Sequence, residues 1–175
     1  KLVDIVEDLQ GAPGRLELVK GHPDGAAVYI DYAHTPDALE TVLKAVRPHT
    51  SGRLVCVFGC GGDRDRGKRP IMGEIATKHA DPVIVTDDNP RNEKASLIRA
   101  DVLQGAPDAE DIGDRREAIN KAIQDLREGD VLVIAGKGHE QGQVFADHTD
   151  EFDDFKEAEK AIAALKSSKK EELVS

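Results

Sequence analysis

Cysteine and long apolar runs are among the scarcest features of this sequence. Only two cysteines, Cys56 and Cys60, occur in 175 residues, too few for a disulfide framework or a four-ligand metal set. We therefore expect a reducing compartment, with Cys56 in the core. No apolar run approaches the length of a membrane-spanning helix, so we expect a cytoplasmic protein with no membrane partner.

Aromatic residues and positive charge are also in short supply. Aromatics make up 3% of the chain and tryptophan is absent, which argues against a stacking platform for single-stranded nucleic acid. The net charge of −10 argues against a protein that neutralises phosphate backbones. We therefore expect no nucleic-acid partner.

The length and the first residues suggest one domain cut from a longer chain. The 175 residues are enough for a single domain with a full core. The sequence begins at Lys1 without an initiator methionine, and residues 1–10 are amphipathic at helical spacing before the break at 11–14. We interpret residues 1–13 as a hinge or tail from a preceding domain.

Apolar runs and helical patterns alternate along the rest of the sequence. Short apolar or alternating runs predict strands at 15–19, 26–32, 54–58, 82–86, 131–135 and near 144–146, with helices between and after them. Thr35 and Asp114 are good helix N-caps, and Pro36 suits the first helical position. The pattern predicts an α/β fold: a Rossmann-like, doubly wound, mostly parallel sheet of about six strands with helices on both faces.

Four predicted strands end in polar loops, at Asp31, Gly59, Asp87 and Gly136. The carboxyl ends of parallel strands gather at one edge of a sheet, which is where ligands bind in open α/β folds. The sequence therefore predicts a binding site made by these four loops.

The loop at residues 59–70, which follows the predicted strand at 54–58, is rich in glycine and in charged residues. It fits G-x-x-x-x-G-K at 62–68, but Arg69 stands where a phosphate loop needs Ser or Thr. Arg64 stands at the third glycine of a dinucleotide motif, which disfavours a nicotinamide dehydrogenase. The arginine forks suit carboxylates or phosphates; the alternative interpretation is a solvated charged turn.

Four stretches together match one family: 31–37 (DYAHTPD), 58–64 (FGCGGDR), 87–91 (DDNPR) and 136–140 (GKGHE). They resemble the carboxy-terminal domain of the Mur ligases, and within that family the members that add meso-diaminopimelate to UDP-N-acetylmuramoyl-L-alanyl-D-glutamate. The resemblance runs from about residue 14 to 155. It implies a Mur ligase domain at 14–175, with a polar tail from about 166, and places 1–13 at the end of a missing central ATPase domain.

The resemblance implies that the whole protein is an ATP-dependent acid–amino-acid ligase of peptidoglycan precursor synthesis, which works through an acyl phosphate. ATP and Mg²⁺ would be bound mainly by domains absent from this chain, so we expect the fragment alone to be inactive. The implied partners are small molecules, namely UDP-MurNAc-dipeptide, meso-diaminopimelate and ATP, and we expect a monomer. The alternative is a stand-alone α/β binding module for a dicarboxylate or phosphorylated ligand.

The resemblance also assigns binding residues, but no catalytic residue and no metal ligand. Arg91, with Asp88, Asn89 and Pro90, would hold the amino-acid group at the end of diaminopimelate that does not react. Glu140 and the carbonyl of Gly136 would take the distal ammonium. Arg64 would contact the same ligand.

The resemblance implies nucleotide contacts for three residues, each with a structural alternative. Asp31 would bind the ribose or serve as a helix-entry residue, His34 would lie near the phosphates or bond its own loop, and Arg15 would lie beside the nucleotide or be a surface charge. Roles supporting the site or on the surface stay equally open for Asp63, Arg66, Lys137 and His139. The remaining histidines, His22, His49, His79 and His148, show no metal-ligand spacing and are predicted to lie on the surface.

Overall fold

In the computed structural model, which describes residues 14–172, strands and helices alternate as predicted. The strands are β1 (Glu17–Val19), β2 (Ala27–Asp31), β3 (Leu54–Phe58), β4 (Val83–Val85), β5 (Glu110–Asp111), β6 (Val131–Ala135), β7 (Gly142–Val144) and β8 (Thr149–Glu151). The helices are α1 (Pro36–Val46), α2 (Lys68–His79), α3 (Ala95–Leu103), α4 (Arg115–Gln124) and α5 (Asp154–Glu172), and a 3₁₀ turn covers Arg47–His49. The predicted amphipathic segment and hinge at 1–13 lie outside the described residues.

Six of the strands form one sheet in the order β1-β2-β6-β3-β4-β5. The strands from β2 to β5 in this order run parallel, and β1 is antiparallel to β2. The central strands β3 and β6 are buried along their whole length, which is why their sequences are continuous apolar runs. The mostly parallel sheet is confirmed.

Helices cover both faces of this sheet, as predicted for a doubly wound fold. Side chains alternate along each strand, so that Leu54, Cys56 and Phe58 of β3 face the layer formed by α1, α2 and α3. Val55 and Val57 of the same strand face the layer formed by α4 and α5. The sheet is thus the shared wall of two apolar cores.

Helix starts follow the predicted cap chemistry. The Thr35 hydroxyl accepts a hydrogen bond from the Ala38 amide at 3.3 Å, directly before Pro36. The Asp114 carboxylate accepts the Glu117 amide at 3.0 Å. Both bonds satisfy amides that have no partner within the helix, and they fix the directions in which α1 and α4 leave the loops.

The structure differs from the predicted elements at the periphery. β5 was not predicted, because its two residues are exposed and carry no apolar pattern. β7 begins two residues before the predicted strand and pairs with β8, which is fully exposed and was not predicted, in a separate two-stranded sheet.

The predicted polar tail from about residue 166 is helical instead of frayed. α5 continues to Glu172, and Lys169 forms an ion pair with Asp24 in the turn before β2. The Ser167 hydroxyl donates to the Ala163 carbonyl at 3.1 Å. Contacts across the fold therefore hold a segment with no apolar stripe. Within residues 14–172, no helix has the length and apolarity that crossing a membrane requires.

Candidate functional site

The loops that follow β2, β3, β4 and β6 surround one cleft of about 760 Å³. These four strands are parallel neighbours in the sheet, so their carboxyl ends meet at one edge. The convergence predicted from the sequence is confirmed. Seven of the ten predicted binding residues line the cleft: His34, Arg64, Asp88, Asn89, Arg91, Gly136 and Glu140. Arg15, Asp31 and Pro90 are not among the residues that line it.

Asn89 links the loop after β4 to the loop after β6. Its side chain is buried, and its Nδ2 donates to Glu140 Oε2 at 2.9 Å. Its Oδ1 accepts from Lys137 Nζ at 2.8 Å and from the Val144 amide at 3.0 Å. Both partners of Oδ1 are donors and Glu140 is an acceptor, so the orientation of the amide is determined by its neighbours.

Arg91 is fixed by its backbone and by one guanidinium nitrogen. Its φ of 53° is in the left-handed region, and its amide donates to the Val144 carbonyl at 3.0 Å. Its Nη1 donates to the carbonyls of Gly62 (2.9 Å) and Asn89 (3.3 Å). Within residues 14–172 its Nε and Nη2 make no hydrogen bond to protein, so they remain able to bind a carboxylate.

Asp88 lies at the floor of the cleft and packs against Gly136. The Asp88 carboxylate accepts the Asn89 amide at 2.6 Å, and only 8% of the residue is exposed. A Cβ on Gly136 would lie 2.9 Å from Asp88 Oδ2, and the φ of Gly136 is +114°. The position therefore requires glycine. Pro90 lies beside the cleft, where its carbonyl accepts the Glu93 amide at 3.0 Å.

Lys137 is buried directly behind the lining residues. Its side chain is fully buried, and its Nζ lies 3.5 Å from Glu140 Oε2. Burial lowers the pKa of this ammonium, while Asp88 and Glu140 act in the opposite direction. Of the two roles open from the sequence, the structure favours support of the site. His139, the other residue of this loop whose role was left open, is exposed.

A set of charged contacts joins the glycine-rich loop to the loop after β4. The Asp63 carboxylate accepts the Asn92 side-chain amide at 2.7 Å. Glu93 accepts the Asp63 amide at 2.7 Å and Arg69 Nη2 at 2.9 Å. Arg69, the Asp63 amide and Arg66 lower the pKa of Glu93 to about 2. Asp63 and Arg66 therefore both act in holding the two loops together.

Arg64 extends from this anchored loop toward the cleft. Its guanidinium donates only to the carbonyl of the neighbouring Asp63, at 3.0 Å, among the described residues. It is exposed, which leaves it able to meet a second anionic group of a ligand.

The three predicted nucleotide residues are less clearly aimed at the cleft. The Asp31 carboxylate accepts hydrogen bonds from the amides of Leu16 (2.9 Å) and Ala33 (2.8 Å). Neither amide belongs to the start of α1, which Thr35 caps. His34 is exposed, and its Nδ1 donates to the Tyr32 carbonyl at 2.8 Å within its own loop. Arg15 is exposed.

Sequence reasoning missed several residues that shape the site. Tyr32 and Lys68 line the cleft, and Lys68 Nζ donates to the His34 carbonyl at 2.6 Å. The position of Lys68 at the start of a helix after the glycine-rich loop was the available signal. No sequence signal marked Arg115, which is fully buried against Asp154 with bonds of 2.7 and 2.8 Å.

The prediction that His22 lies on the surface is wrong. It is buried, with Nε2 donating to the Ile123 carbonyl at 3.0 Å and Nδ1 accepting the Asp24 amide at 3.3 Å. The polar ring can be buried at the end of α4 because both of its nitrogens form hydrogen bonds with backbone groups. His49 and His148 are exposed as predicted, and His79 is partly buried against Glu40.

The cleft combines groups of both signs within a small space. Arg91 and Arg64 can take carboxylates, and Glu140 and Asp88 can take an ammonium. Arg91 and Glu140 both contact Asn89, through its backbone carbonyl and its side chain. Such an arrangement suits a zwitterionic ligand. Among residues 14–172, no group of three or more His, Cys, Asp or Glu side chains is placed to hold a metal ion.

Comparison with known proteins gives close relatives across nearly the whole chain. The UDP-N-acetylmuramoyl-L-alanyl-D-glutamate–2,6-diaminopimelate ligase of Mesorhizobium japonicum is 60% identical over 93% of this chain. The protein of the same name from Caulobacter vibrioides is 58% identical over 94% of the chain. The chain spans about a third of the length of these relatives, 34% in each case.

Solved structures give the same answer about the fold. A structure of a ligase with that name matches with a TM-score of 0.82 and 48% identity, over 93% of this chain and 34% of the other. UDP-N-acetylmuramate-alanine ligase from Thermotoga maritima, at 19% identity, shares the fold with a TM-score of 0.62, over 95% of this chain and 33% of the other. The family model described as "Mur ligase, glutamate ligase domain" matches residues 14–138. The chain therefore belongs to the Mur ligase family, whose glutamate ligase domain it contains.

Proposed function

We propose that this chain is the amino-acid-binding part of an ATP-dependent ligase that joins meso-diaminopimelate to UDP-MurNAc-L-Ala-D-Glu. The observation that carries the proposal is the shared cleft of Arg91 and Glu140, joined through Asn89. Had these two groups lain on opposite sides of the domain, they could not have held one small molecule. The names of the close relatives support the same substrates.

In the proposed mode of binding, the domain holds the end of the ligand that does not react. The free nitrogens of Arg91 bind the distal carboxylate, with Arg64 as a further cationic contact. Glu140 and the Gly136 carbonyl accept hydrogen bonds from the distal ammonium, and Asp88 and Asn89 shape the floor. Fixing this end places the other amine for attack, so the contribution of the domain is positioning and charge complementarity.

The reaction proposed for the whole protein begins with ATP, which converts the D-glutamyl carboxylate to an acyl phosphate. The amine of diaminopimelate attacks the acyl carbon, and phosphate leaves. ATP and Mg²⁺ are proposed to be held mainly by parts of the protein that lie outside this chain. His34, which is exposed, and Lys68, which is half-buried, both line the cleft and are proposed to face the nucleotide phosphates. Asp31 is proposed to lie at the ribose, and Arg15 beside the nucleotide.

The same site accounts for the choice of diaminopimelate over lysine. Lysine lacks the distal carboxylate, so binding it would leave Arg91 desolvated without a carboxylate partner. The cost would be several kcal/mol, or about a hundredfold or more in selectivity.

We place the whole enzyme in the cytoplasm, which is supported by the two free, buried cysteines Cys56 and Cys60. We propose that it works as a monomer on small-molecule substrates.

Calorimetric titration of the full-length protein tests this proposal. Meso-diaminopimelate should bind, and Arg91→Ala should weaken binding by roughly a hundredfold, as expected for loss of a charged hydrogen-bonded pair. The variant should also narrow the preference for diaminopimelate over lysine in ligation assays. Arg127→Ala is the matched control, because Arg127 is exposed just before β6, at the opposite edge of the sheet.

Two outcomes would contradict the proposal. Unchanged affinity in Arg91→Ala would remove Arg91 from the site. A wild-type protein that binds other dicarboxylates or phosphorylated compounds but neither binds nor ligates diaminopimelate would favour a binding module without ligase activity.

A further inference from the structure

Lys137 has an unusual position for a lysine: its side chain is fully buried. Burying an ammonium is costly unless charged and hydrogen-bonding partners compensate it. The charged groups that act on it come from four separate parts of the fold. They are Asp88 after β4, Glu140 after β6, Arg115 at the start of α4 and Asp154 at the start of α5. An apolar side chain would fill the same space without this cost, so the retained charge calls for a role.

The first effect of Lys137 is on the orientation of Asn89. Its Nζ donates to Asn89 Oδ1 at 2.8 Å, and the Val144 amide donates to the same oxygen at 3.0 Å. If the amide turned over, its NH₂ group would face these two donors and lose both bonds. The correct orientation is what directs Asn89 Nδ2 toward Glu140, at 2.9 Å.

The second effect is on the charge around Glu140. The ammonium lies 3.5 Å from Glu140 Oε2, and it balances the carboxylates of Asp88 and Glu140 at the floor of the cleft. Because Lys137 is behind the lining, its ammonium can hold the Glu140 carboxylate in place from the inside while leaving the cleft side of that carboxylate open.

We propose that Lys137 is a positioning and specificity-determining residue, which acts through Asn89 and Glu140 on recognition of the ligand's distal ammonium. This inference rests on the proposed function, in which Glu140 takes that ammonium. Lys137 does not itself touch the ligand. Its influence is confined to the amine end of the ligand's distal group and does not extend to the carboxylate that Arg91 binds.

Ligation by the full-length protein with two amino-acid substrates tests this separation. Meso-diaminopimelate has the distal amine, and 2-aminopimelate has the same chain and carboxylates without it. Lys137→Met should lower kcat/KM for meso-diaminopimelate by roughly ten- to a hundredfold, the effect of losing hydrogen bonds to a charged group. The value for 2-aminopimelate and the KM of the UDP-linked substrate should change by less than about threefold, within the range for surface changes.

Two further variants sharpen the result. Lys137→Gln keeps a donor for Asn89 Oδ1 without the charge, so it should recover part of the selectivity for meso-diaminopimelate. Lys78→Met is the matched control, since Lys78 is exposed in the last turn of α2, away from the cleft. It should leave both substrates unaffected.

The outcomes separate this inference from the proposed function. Equal losses for the two substrates in Lys137→Met, or no loss, would overturn the inference while the Arg91→Ala result stands. If neither Lys137→Met nor Lys137→Gln folds, as judged by thermal unfolding, Lys137 is a stability residue and the inference is also overturned. A wild-type protein that does not use meso-diaminopimelate would instead overturn the proposed function.

Discussion

Gly62 shows how closely the two loops beneath Arg91 approach each other. Its amide donates to the Asn89 carbonyl at 2.9 Å, and its own carbonyl accepts from Arg91 Nη1 at 2.9 Å. A Cβ on Gly62 would lie 1.9 Å from the Pro90 carbonyl oxygen. We expect Gly62→Ala to destabilise the chain by about 1–3 kcal/mol, typical of overpacking, and to weaken diaminopimelate binding, because the loops must separate.

Denaturant unfolding and calorimetry would check this prediction, and Gly67→Ala is the control for the unfolding measurement. Gly67 is at the start of α2 with a φ of −61°, which alanine adopts freely. Among the described residues, the added Cβ would meet the carboxylate of Asp65 at 3.2 Å and no other atom within 4 Å. If Gly62→Ala lowered the free energy of unfolding by no more than Gly67→Ala does, the close approach of the two loops would not matter for stability, contrary to the prediction.

Glu93 links acid stability to the same pair of loops. Its pKa is lowered from 4.5 to about 2 by Arg69, the Asp63 amide and Arg66. A lowered folded-state pKa means that the stabilisation is fully present above pH 4.5 and is lost as the pH falls toward 2. We expect Glu93→Gln to lower the melting temperature at pH 7, with a gap to wild type that shrinks between pH 4.5 and 2. A gap independent of pH in thermal scans would contradict this.

Individual charged residues were the hardest part of the site to predict. The sequence placed Arg64, Asp88, Arg91 and Glu140 in converging loops, because loop position follows from strand order. It did not show that Lys137 would be buried, since apolar periodicity assigns charged residues to the surface. Burial of a charge depends on partners from distant segments, and these are defined only when the fold is complete.

At the scale of elements, Arg115 joins two strand ends to two helices. It lies in the first turn of α4, bonds Asp154 of α5 with two nitrogens, and donates to the carbonyls of Ala135 (3.0 Å) and Asp87 (3.4 Å). The Ala135 carbonyl lies at the end of β6, and the Asp87 carbonyl lies at the start of the binding loop after β4. The pair therefore fixes the edge of the sheet from which the site is built.

Removing one member of this pair should be costly. We expect Arg115→Met to destabilise the chain by about 3–5 kcal/mol, because Asp154 is left charged and buried without its partner. Replacing both, as Arg115→Met with Asp154→Leu, should recover part of that loss. Denaturant unfolding would measure both. The control is Lys121→Met in the same helix: Lys121 pairs with Asp125 at the surface, and its loss should cost at most about 1 kcal/mol.

Elements differed in how well the sequence predicted them. The runs of β3 and β6 are apolar on both faces, so the sequence predicted both that they are strands and that they are buried. β5 and β8 are two and three residues long and fully exposed, so no apolar pattern marks them. They form because neighbouring strands offer free backbone groups, which a reading of local pattern does not include. The same limit hid the helical extension of α5 beyond residue 166.

At the scale of the whole molecule, the central sheet ties the two apolar cores into one unit. β3 and β6 contribute side chains to both cores, so neither core can open without exposing the other face of the same strands. The alternation of elements along the sequence was enough to predict this layered architecture. The cleft depends on it as well, since its four loops all start from strands of the shared wall.

This shared wall predicts a single unfolding transition whichever core is weakened. Leu43→Ala, in the layer of α1, and Ile119→Ala, in the layer of α4, remove fully buried side chains and should each cost about 2–5 kcal/mol. Far-UV circular dichroism and tyrosine fluorescence should give the same midpoint in each variant. Leu97→Ala is the control, because Leu97 is 60% exposed and should change stability by no more than about 0.5 kcal/mol. Separate midpoints for the two probes in either core variant would mean that each core unfolds independently, contrary to the shared sheet.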